Sequence, residues 1–252
     1  MDDLRELSPL PEETPSSAKG EAPSVEEALA RLAQALHVAS GQQIVHVEIL
    51  PASPPCYTDP SPPLPDPLRQ GLERMGIPRL YSHQVEALER VRRGENVVVV
   101  TGTSSGKTLC YNLPILERIL QDREARALYL YPVNALINDQ LKGLFRLNLA
   151  LGKQAVGIAR YTGALNSEQR QLARARSPHI WLTNPEMLHL SFLLWHQNWE
   201  ELWRNLRFIV LDEVHTYRGV FGANMAHLLR RVLRMAAHYG ASPQFICCSA
   251  TI

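Results

Sequence analysis

Four consecutive valines, Val97 to Val100, run directly into Thr101-Gly102-Thr103-Ser104-Ser105-Gly106-Lys107-Thr108, and a helical pattern starts at Lys107. An unbroken run of β-branched residues reads as a strand buried on both faces, the kind found in parallel sheets. The small-residue loop behind it feeds a helix N-terminus. Free backbone N–H groups and the positive end of the helix dipole therefore converge on whatever the loop encloses, and that favours an anion. Gly102 and Gly106 let the loop curl and bring the backbone close to phosphate. Lys107 supplies a point charge for β- and γ-phosphates, and the Thr108 hydroxyl suits a magnesium ion. The strict form of this phosphate loop has Gly where Thr101 stands. A Ser/Gly-rich connection carrying a surface lysine is the plainer alternative, and the flanking strand and helix argue against it.

A phosphate loop needs a metal partner, and the chain offers one. Arg207 to Leu211 is an apolar run that delivers Asp212 and Glu213 at its end, followed by Val214 and His215. A carboxylate at the C-terminal edge of a parallel strand can hold magnesium through water, and its neighbour can orient and deprotonate an attacking water. The alternative is that both acids merely cap the next helix.

From residue 68 onward short β-rich runs (96–101, 127–131, 155–161, 179–183, 207–211, 244–249) alternate with helical stretches at about 82–93, 107–121, 133–147, 184–196 and 221–239. That alternation predicts an α/β domain, a mostly parallel sheet with helices on both faces. Ahead of it, residues 1–23 hold six acids against Arg5 and Lys19 and show no hydrophobic period, which predicts disorder. Ser24 and Glu27 have capping-box spacing at the start of a helix, and 44–50 alternates as a strand does. Eight prolines in 51–67 predict a stiff extended connector, so 24–67 is expected to form an arm beside the main domain.

The net charge of +1 excludes nothing by itself, but its distribution is uneven. Residues 142–176 carry Lys142, Arg146, Lys153, Arg160, Arg170, Arg174 and Arg176 against Glu168 alone. This one-sided segment is expected to face an anionic partner, with a solvated surface as the alternative. Trp195, Trp199 and Trp203 recur at every fourth residue, and core packing is favoured over a base-stacking platform. His189 and His196 have no partners at metal spacing. Four cysteines without CxxC spacing fit buried thiols in a reducing compartment, and no run of about 18 apolar residues is present, so a cytoplasmic chain with no membrane contact is expected.

The motif order resembles a known family. TGTSSGKT, Asp212-Glu213-Val214-His215 and Ser249-Ala250-Thr251 are similar to motifs I, II and III of the DEAD/DEAH-box superfamily 2 helicases. Between and before them, Tyr131 to Leu136 resembles motif Ia and Thr162-Gly163 motif Ib. Thr183-Asn184-Pro185-Glu186 resembles the TxPE segment, and Leu80-Tyr81-Ser82-His83-Gln84 the Q motif. The LYSHQ run and 159–170 look most like the branch of mitomycin repair factor A and its RecQ4-like eukaryotic relatives, which implies 3′-to-5′ DNA unwinding in repair. The resemblance covers 68–252 and implies the first RecA-like P-loop domain of such a motor, with ATP and Mg²⁺ as its ligands. It gives Gln84 the adenine edge, and phosphate to Gly102, Thr103, Ser104, Ser105, Gly106, Lys107 and Thr108. Metal falls to Thr108 and Asp212, and hydrolysis to Lys107, Asp212, Glu213 and His215. Asn134, Thr162, Gly163, Thr183 and Pro185 would line the path of single-stranded or tailed DNA, with RNA as the alternative strand. His215, Ser249 and Thr251 would couple the hydrolysis site to a second RecA-like domain. Tyr81 stands where many such motors carry Arg.

The chain ends at Ile252, one residue past the third motif. The second RecA-like domain that the resemblance implies, with its arginines, is therefore expected outside these residues, as is a cysteine-rich C-terminal region. Two rivals explain less. A P-loop enzyme phosphorylating a small metabolite accounts for Lys107 and Asp212 but not for TNPE or SAT, and a nucleotide-gated scaffold leaves Glu213 without a task.

Overall fold

A computed structural model describes residues 24–40, 46 and 54–250. The acidic 1–23 segment and Thr251 lie outside the described residues, as does almost all of the strand expected at 44–50. The chain divides into two compact units, Met1–Ser53 and Pro54–Ile252. In the first, helix α1 (Val25–Ser40) opens on the expected capping box. The Glu27 N–H donates to Ser24 Oγ, and the Ser24 N–H donates to the Glu27 carboxylate, both at 3.2 Å.

The second unit begins within the proline-rich stretch rather than after it. Residues 56–58 pair with 80–82: the Thr58 N–H donates to the Leu80 carbonyl and the Ser82 N–H to the Cys56 carbonyl. Helix α2 (Asp66–Arg74) then starts inside the segment read as a connector, with Pro67 in its first turn, where a missing N–H does no harm. Next come α3 (Ser82–Arg92), β1 (Val97–Val100), α4 (Lys107–Gln121) and β2 (Arg126–Leu130). They are followed by α5 (Asn134–Ala150), β3 (Ile158–Arg160), α6 (Ser167–Ala175) and β4 (Ile180–Thr183). A short α7 (Pro185–Met187), α8 (Glu200–Asn205), β5 (Leu206–Leu211), α9 (Gly219–His238) and β6 (Gln244–Ser249) complete the unit.

The six strands form one sheet in the order β1-β6-β5-β2-β4-β3, every pair parallel. Side chains of alternate strand residues divide between two cores. Ala127 and Tyr129 pack with α2 to α5, whereas Leu128 and Leu130 pack with α8 and α9. Helices thus cover both faces, and the near-continuous apolar strands follow from that.

One expected helix is broken. Over 184–196 the chain forms α7, then a π turn at Leu188–Leu193, then a separate 3₁₀ turn at His196–Trp199. The tryptophan stripe is split accordingly: Trp199 and Trp203 are buried, while Trp195 is 65% exposed. No helix among the described residues is long and apolar enough to cross a membrane.

Candidate functional site

The C-terminal ends of β1, β5 and β6 lie side by side in the sheet, so the loops that leave them share one edge. The β1–α4 loop holds Ser104 (φ 59°) and Gly106 (φ 79°) in left-handed backbone. Gly106 is demanded twice over, because a Cβ there would also meet Gln84 Nε2 at 2.6 Å. Thr101 needs no glycine: its φ is ordinary, and its hydroxyl lies 2.6 Å from that of Ser105, closing the loop. Gly102 adds no steric requirement in this conformation. The Lys107 ammonium folds back over the loop and donates to the Thr101 (2.9 Å) and Gly102 (2.6 Å) carbonyls. A phosphate group seated in the loop would compete for that ammonium.

Two residues of α3 brace this loop from outside. His83 Nε2 donates to the Ser105 carbonyl at 3.0 Å, and Gln84 Nε2 donates to the Gly106 carbonyl at 3.0 Å. Gln84 Oε1 accepts from the Tyr81 N–H at 2.9 Å, and the side chain is 2% exposed. Both ends of the Gln84 amide are thus engaged within the chain. The side chain thus braces the start of α3 against the start of α4, with one N–H and one lone pair of the amide left over.

At the end of β5, Asp212 is 6% exposed. Burial lifts its carboxyl above the ordinary carboxylate range and the nearby Glu213 charge adds to that, while the Glu213 N–H, the Tyr111 hydroxyl and the Lys107 ammonium pull it back down. The Glu213 N–H donates to Asp212 Oδ1 at 2.9 Å and the Tyr111 hydroxyl to Oδ2 at 3.2 Å. Tyr111 also lies 3.3 Å from Gln140 Oε1, to which Thr108 Oγ1 donates at 3.4 Å. Thr108 and Asp212 are therefore joined through Tyr111 and Gln140, neither of them singled out from sequence. Tyr111 was within reach of sequence reasoning: it sits one helical turn after Lys107 and so shares its face.

Glu213 itself adopts left-handed backbone (φ 52°), fixed by the Thr216 N–H (2.9 Å) and hydroxyl (2.8 Å), both donating to its carbonyl. His215 Nδ1 lies 3.2 Å from Glu213 Oε2 and 3.3 Å from Ser249 Oγ. One imidazole nitrogen thus bridges the acid after β5 and the serine that ends β6.

The expected strand-path residues fare unequally. Asn134 is exposed and accepts from Asn184 Nδ2 at 2.9 Å; Gly163 is exposed and Pro185 half-buried. Thr162 is 4% exposed, and Thr183 is fully buried with its hydroxyl donating to the Tyr161 carbonyl at 2.7 Å. Thr183 holds β4 to the end of β3 and offers no side-chain contact to a strand. The basic segment also divides. Lys142 pairs with Asp139 on α5, whereas Arg170 and Arg174 reach inward to the Gly163 carbonyl and the Tyr161 hydroxyl. His189 Nδ1 accepts from the Arg231 guanidinium at 2.7 Å, and His196 Nδ1 is hydrogen-bonded to the Tyr239 hydroxyl at 2.7 Å.

The DEAD/DEAH box helicase family model matches residues 81–252, about two thirds of the chain, and spans all of these elements. The chain belongs to the DEAD/DEAH box helicase family. It is 46% identical over 187 residues to the uncharacterized ATP-dependent helicase YprA of Bacillus subtilis, covering 73% of this chain and 24% of YprA. To the ATP-dependent helicase HRQ1 of Saccharomyces cerevisiae it is 36% identical over 215 residues, covering 83% of this chain and 19% of HRQ1. The crystal structure of the DUF1998 helicase MrfA bound to DNA and AMPPNP superposes with a TM-score of 0.80 at 39% identity, over 91% of this chain and 31% of MrfA. The helicase domain described here is thus RecA-like in fold, with ATP use following from its family, and it spans about a quarter or less of the curated relatives just named.

Proposed function

We propose that this chain is the ATP-binding half of the motor of an ATP-dependent DNA helicase, one that moves 3′-to-5′ and serves DNA repair. The observation that carries the reading is the single edge at which the Lys107 loop, the Asp212–Glu213 pair and Ser249 meet, with His215 linking the last two. The likeness to MrfA, which was crystallised on DNA, supports the choice of DNA.

The residues fit a nucleoside triphosphate. The loop offers backbone N–H groups at the start of a 15-residue helix, and Lys107 is the cation that moves from the Thr101 and Gly102 carbonyls to the phosphates. Thr108 and Asp212 would hold a magnesium ion, which neutralises charge on the β- and γ-phosphates when bound. Burial raises the proton affinity of Asp212, so the cationic surroundings of a loaded site favour its ionised form. Glu213 orients the attacking water and accepts its proton, and His215 keeps that carboxylate in place. When hydrolysis changes what Glu213 holds, His215 passes the change to Ser249, through which a second RecA-like domain would sense it. Asn134, Gly163 and Pro185, with the backbone of Thr162, line the strand path.

Phosphoryl transfer builds negative charge on the equatorial oxygens, and an arginine supplied across a cleft is worth about 10³–10⁵ in rate. Residues 1–252 alone should therefore release phosphate little above background even with saturating single-stranded DNA. A chain extended by its second RecA-like domain should be strongly DNA-stimulated. Turnover by residues 1–252 within tenfold of the extended chain would refute the assignment of the missing cation to that domain. Stimulation by RNA alone would refute the choice of DNA.

A further inference from the structure

Between α6 and the 188–195 segment lies a cavity of about 530 Å³, within the usual size range of a small-ligand site. Its floor is aromatic: Tyr161 meets Trp199 edge-to-face with centroids 4.8 Å apart. Two guanidinium groups sit over that floor. Arg170 lies 5.8 Å above the Tyr161 ring and donates to the Gly163 carbonyl at 3.2 Å, and its Nε is buried without a partner. Arg174 lies 5.9 Å above the Trp199 ring and donates to the Tyr161 hydroxyl at 2.8 Å. Although Glu186 lines the same cavity, neither guanidinium has a carboxylate oxygen within 4.0 Å among the described residues. Each arginine carries five N–H donors, so most of both inventories remains free.

The rim supplies a further element. Trp195, two residues past the π turn, is 65% exposed although it lines this cavity. Single π turns recur at functional sites, and this one re-aims 188–195 so that Trp195 leaves the core that Trp199 and Trp203 join. Gly163 lines the cavity and is also one of the residues assigned above to the strand path, so the two would share that residue. Paired cations above rings, with one free aromatic face beside them, match a ligand that is anionic at one end and flat at the other.

We propose that this cavity takes one unstacked nucleotide of single-stranded DNA, its base on Trp195 and its phosphate between Arg170 and Arg174. The proposal rests on the strand-binding reading above and adds to it a grip outside the helicase motifs. Such a grip is indifferent to sequence, since every base has a stacking face and guanidinium contacts to phosphate read no base.

The test measures binding of a short oligothymidylate and of an abasic strand of equal length, as a function of salt, by the full chain and its variants. Trp195→Ala should weaken oligothymidylate binding about 5- to 150-fold, the range for one stacked base, and leave abasic binding unchanged. Trp195→Phe should restore most of the loss. The double change Arg170→Gln and Arg174→Gln should weaken both strands and flatten the salt slope by about 0.7 for each lost phosphate contact. Equal oligothymidylate affinity of Trp195→Ala and wild type overturns the cavity and leaves the strand path standing. An equal loss on the abasic strand also overturns it, because the tryptophan would then act through the fold. Failure of the wild-type chain to bind either strand overturns the strand-binding reading and this proposal with it.

Discussion

Gln84→Ala separates bracing from base reading. The amide makes two hydrogen bonds, at 2.9 Å from the Tyr81 N–H and at 3.0 Å to the Gly106 carbonyl, from a side chain 2% exposed. Each is worth about 1–1.5 kcal/mol net, toward the upper end of the usual range because the side chain is buried. The pair therefore comes to about 2–3 kcal/mol. For a domain of this length 1 kcal/mol moves the melting temperature by about 2–4 °C, so the variant should melt about 4–12 °C below wild type. It should also bind nucleotide more weakly, to a similar degree for ATP and GTP, because the loss falls on the loop and not on the base.

Gln84→Glu sharpens the test through pH. An ionised carboxylate at this place still accepts from the Tyr81 N–H but sets its second oxygen against the Gly106 carbonyl. Burial and that repulsion raise the folded-state pKa of the introduced carboxyl above its unfolded value of about 4.3. A raised folded pKa gives stability that is complete below the unfolded pKa and is lost as pH rises through the folded one. Gln84→Glu should therefore approach wild-type melting at pH 4 and fall well below it at pH 7.5. Calorimetric melting of the three proteins at both pH values, beside ATP and GTP titrations, decides the matter. A Gln84→Ala variant that melts within about 2 °C of wild type yet loses its preference for ATP would refute the brace and assign the amide to adenine instead.

Lys107→Ala should abolish nucleotide binding, as titration with a fluorescent ATP analogue would show, because the loop loses the ammonium now held on the Thr101 and Gly102 carbonyls. In a chain with its second RecA-like domain, Glu213→Gln should keep ATP and DNA binding and lose about 10²–10⁴ in turnover, measured as steady-state phosphate release. Asp212→Asn should raise the melting temperature at pH 7 and remove turnover. Burial holds the folded carboxyl above its unfolded pKa, so the charge it carries above that folded pKa costs stability, and an amide of the same shape removes that cost.

The parts legible in sequence were those with strong local cues. Helix α4 runs over the expected 107–121 because its start is set by the glycine loop and its apolar face is unbroken. β1, β5 and β6 announced themselves as apolar runs ending in polar chemistry. What escaped had its cause elsewhere in the chain. Helix α6 buries no residue fully and docks partly through arginines over aromatic rings, so its single leucine leaves no apolar stripe to read. The buried hydroxyl of Thr183 and the bracing amide of Gln84 both find partners 22 residues away, at a distance no local pattern reports. The π turn at 188–193 has the composition of an ordinary helix, and it is the tertiary fit of Trp199 and Phe192, stacked at 3.8 Å, that accompanies the break.

The two left-handed residues among the site's non-glycine positions, Ser104 and Glu213, belong to the two loops that would face each other across a phosphate. Left-handed backbone at a residue with a Cβ is disfavoured, and persists only where surrounding contacts over-determine it. Here those contacts are the Thr101–Ser105 hydroxyl pair on one side and the doubly accepted Glu213 carbonyl on the other. The same edge buries the Asp212 carboxyl, whose charged form burial disfavours. Strain and an unfavourable buried charge thus gather at one end of the sheet, while the two cores beneath it follow ordinary α/β packing. A ligand that brings cations to Asp212 would offset the second of these, the burial of its charge. Because His215 Nδ1 lies against both Glu213 and Ser249, a ligand that moves the Glu213 carboxylate is expected to move Ser249 with it.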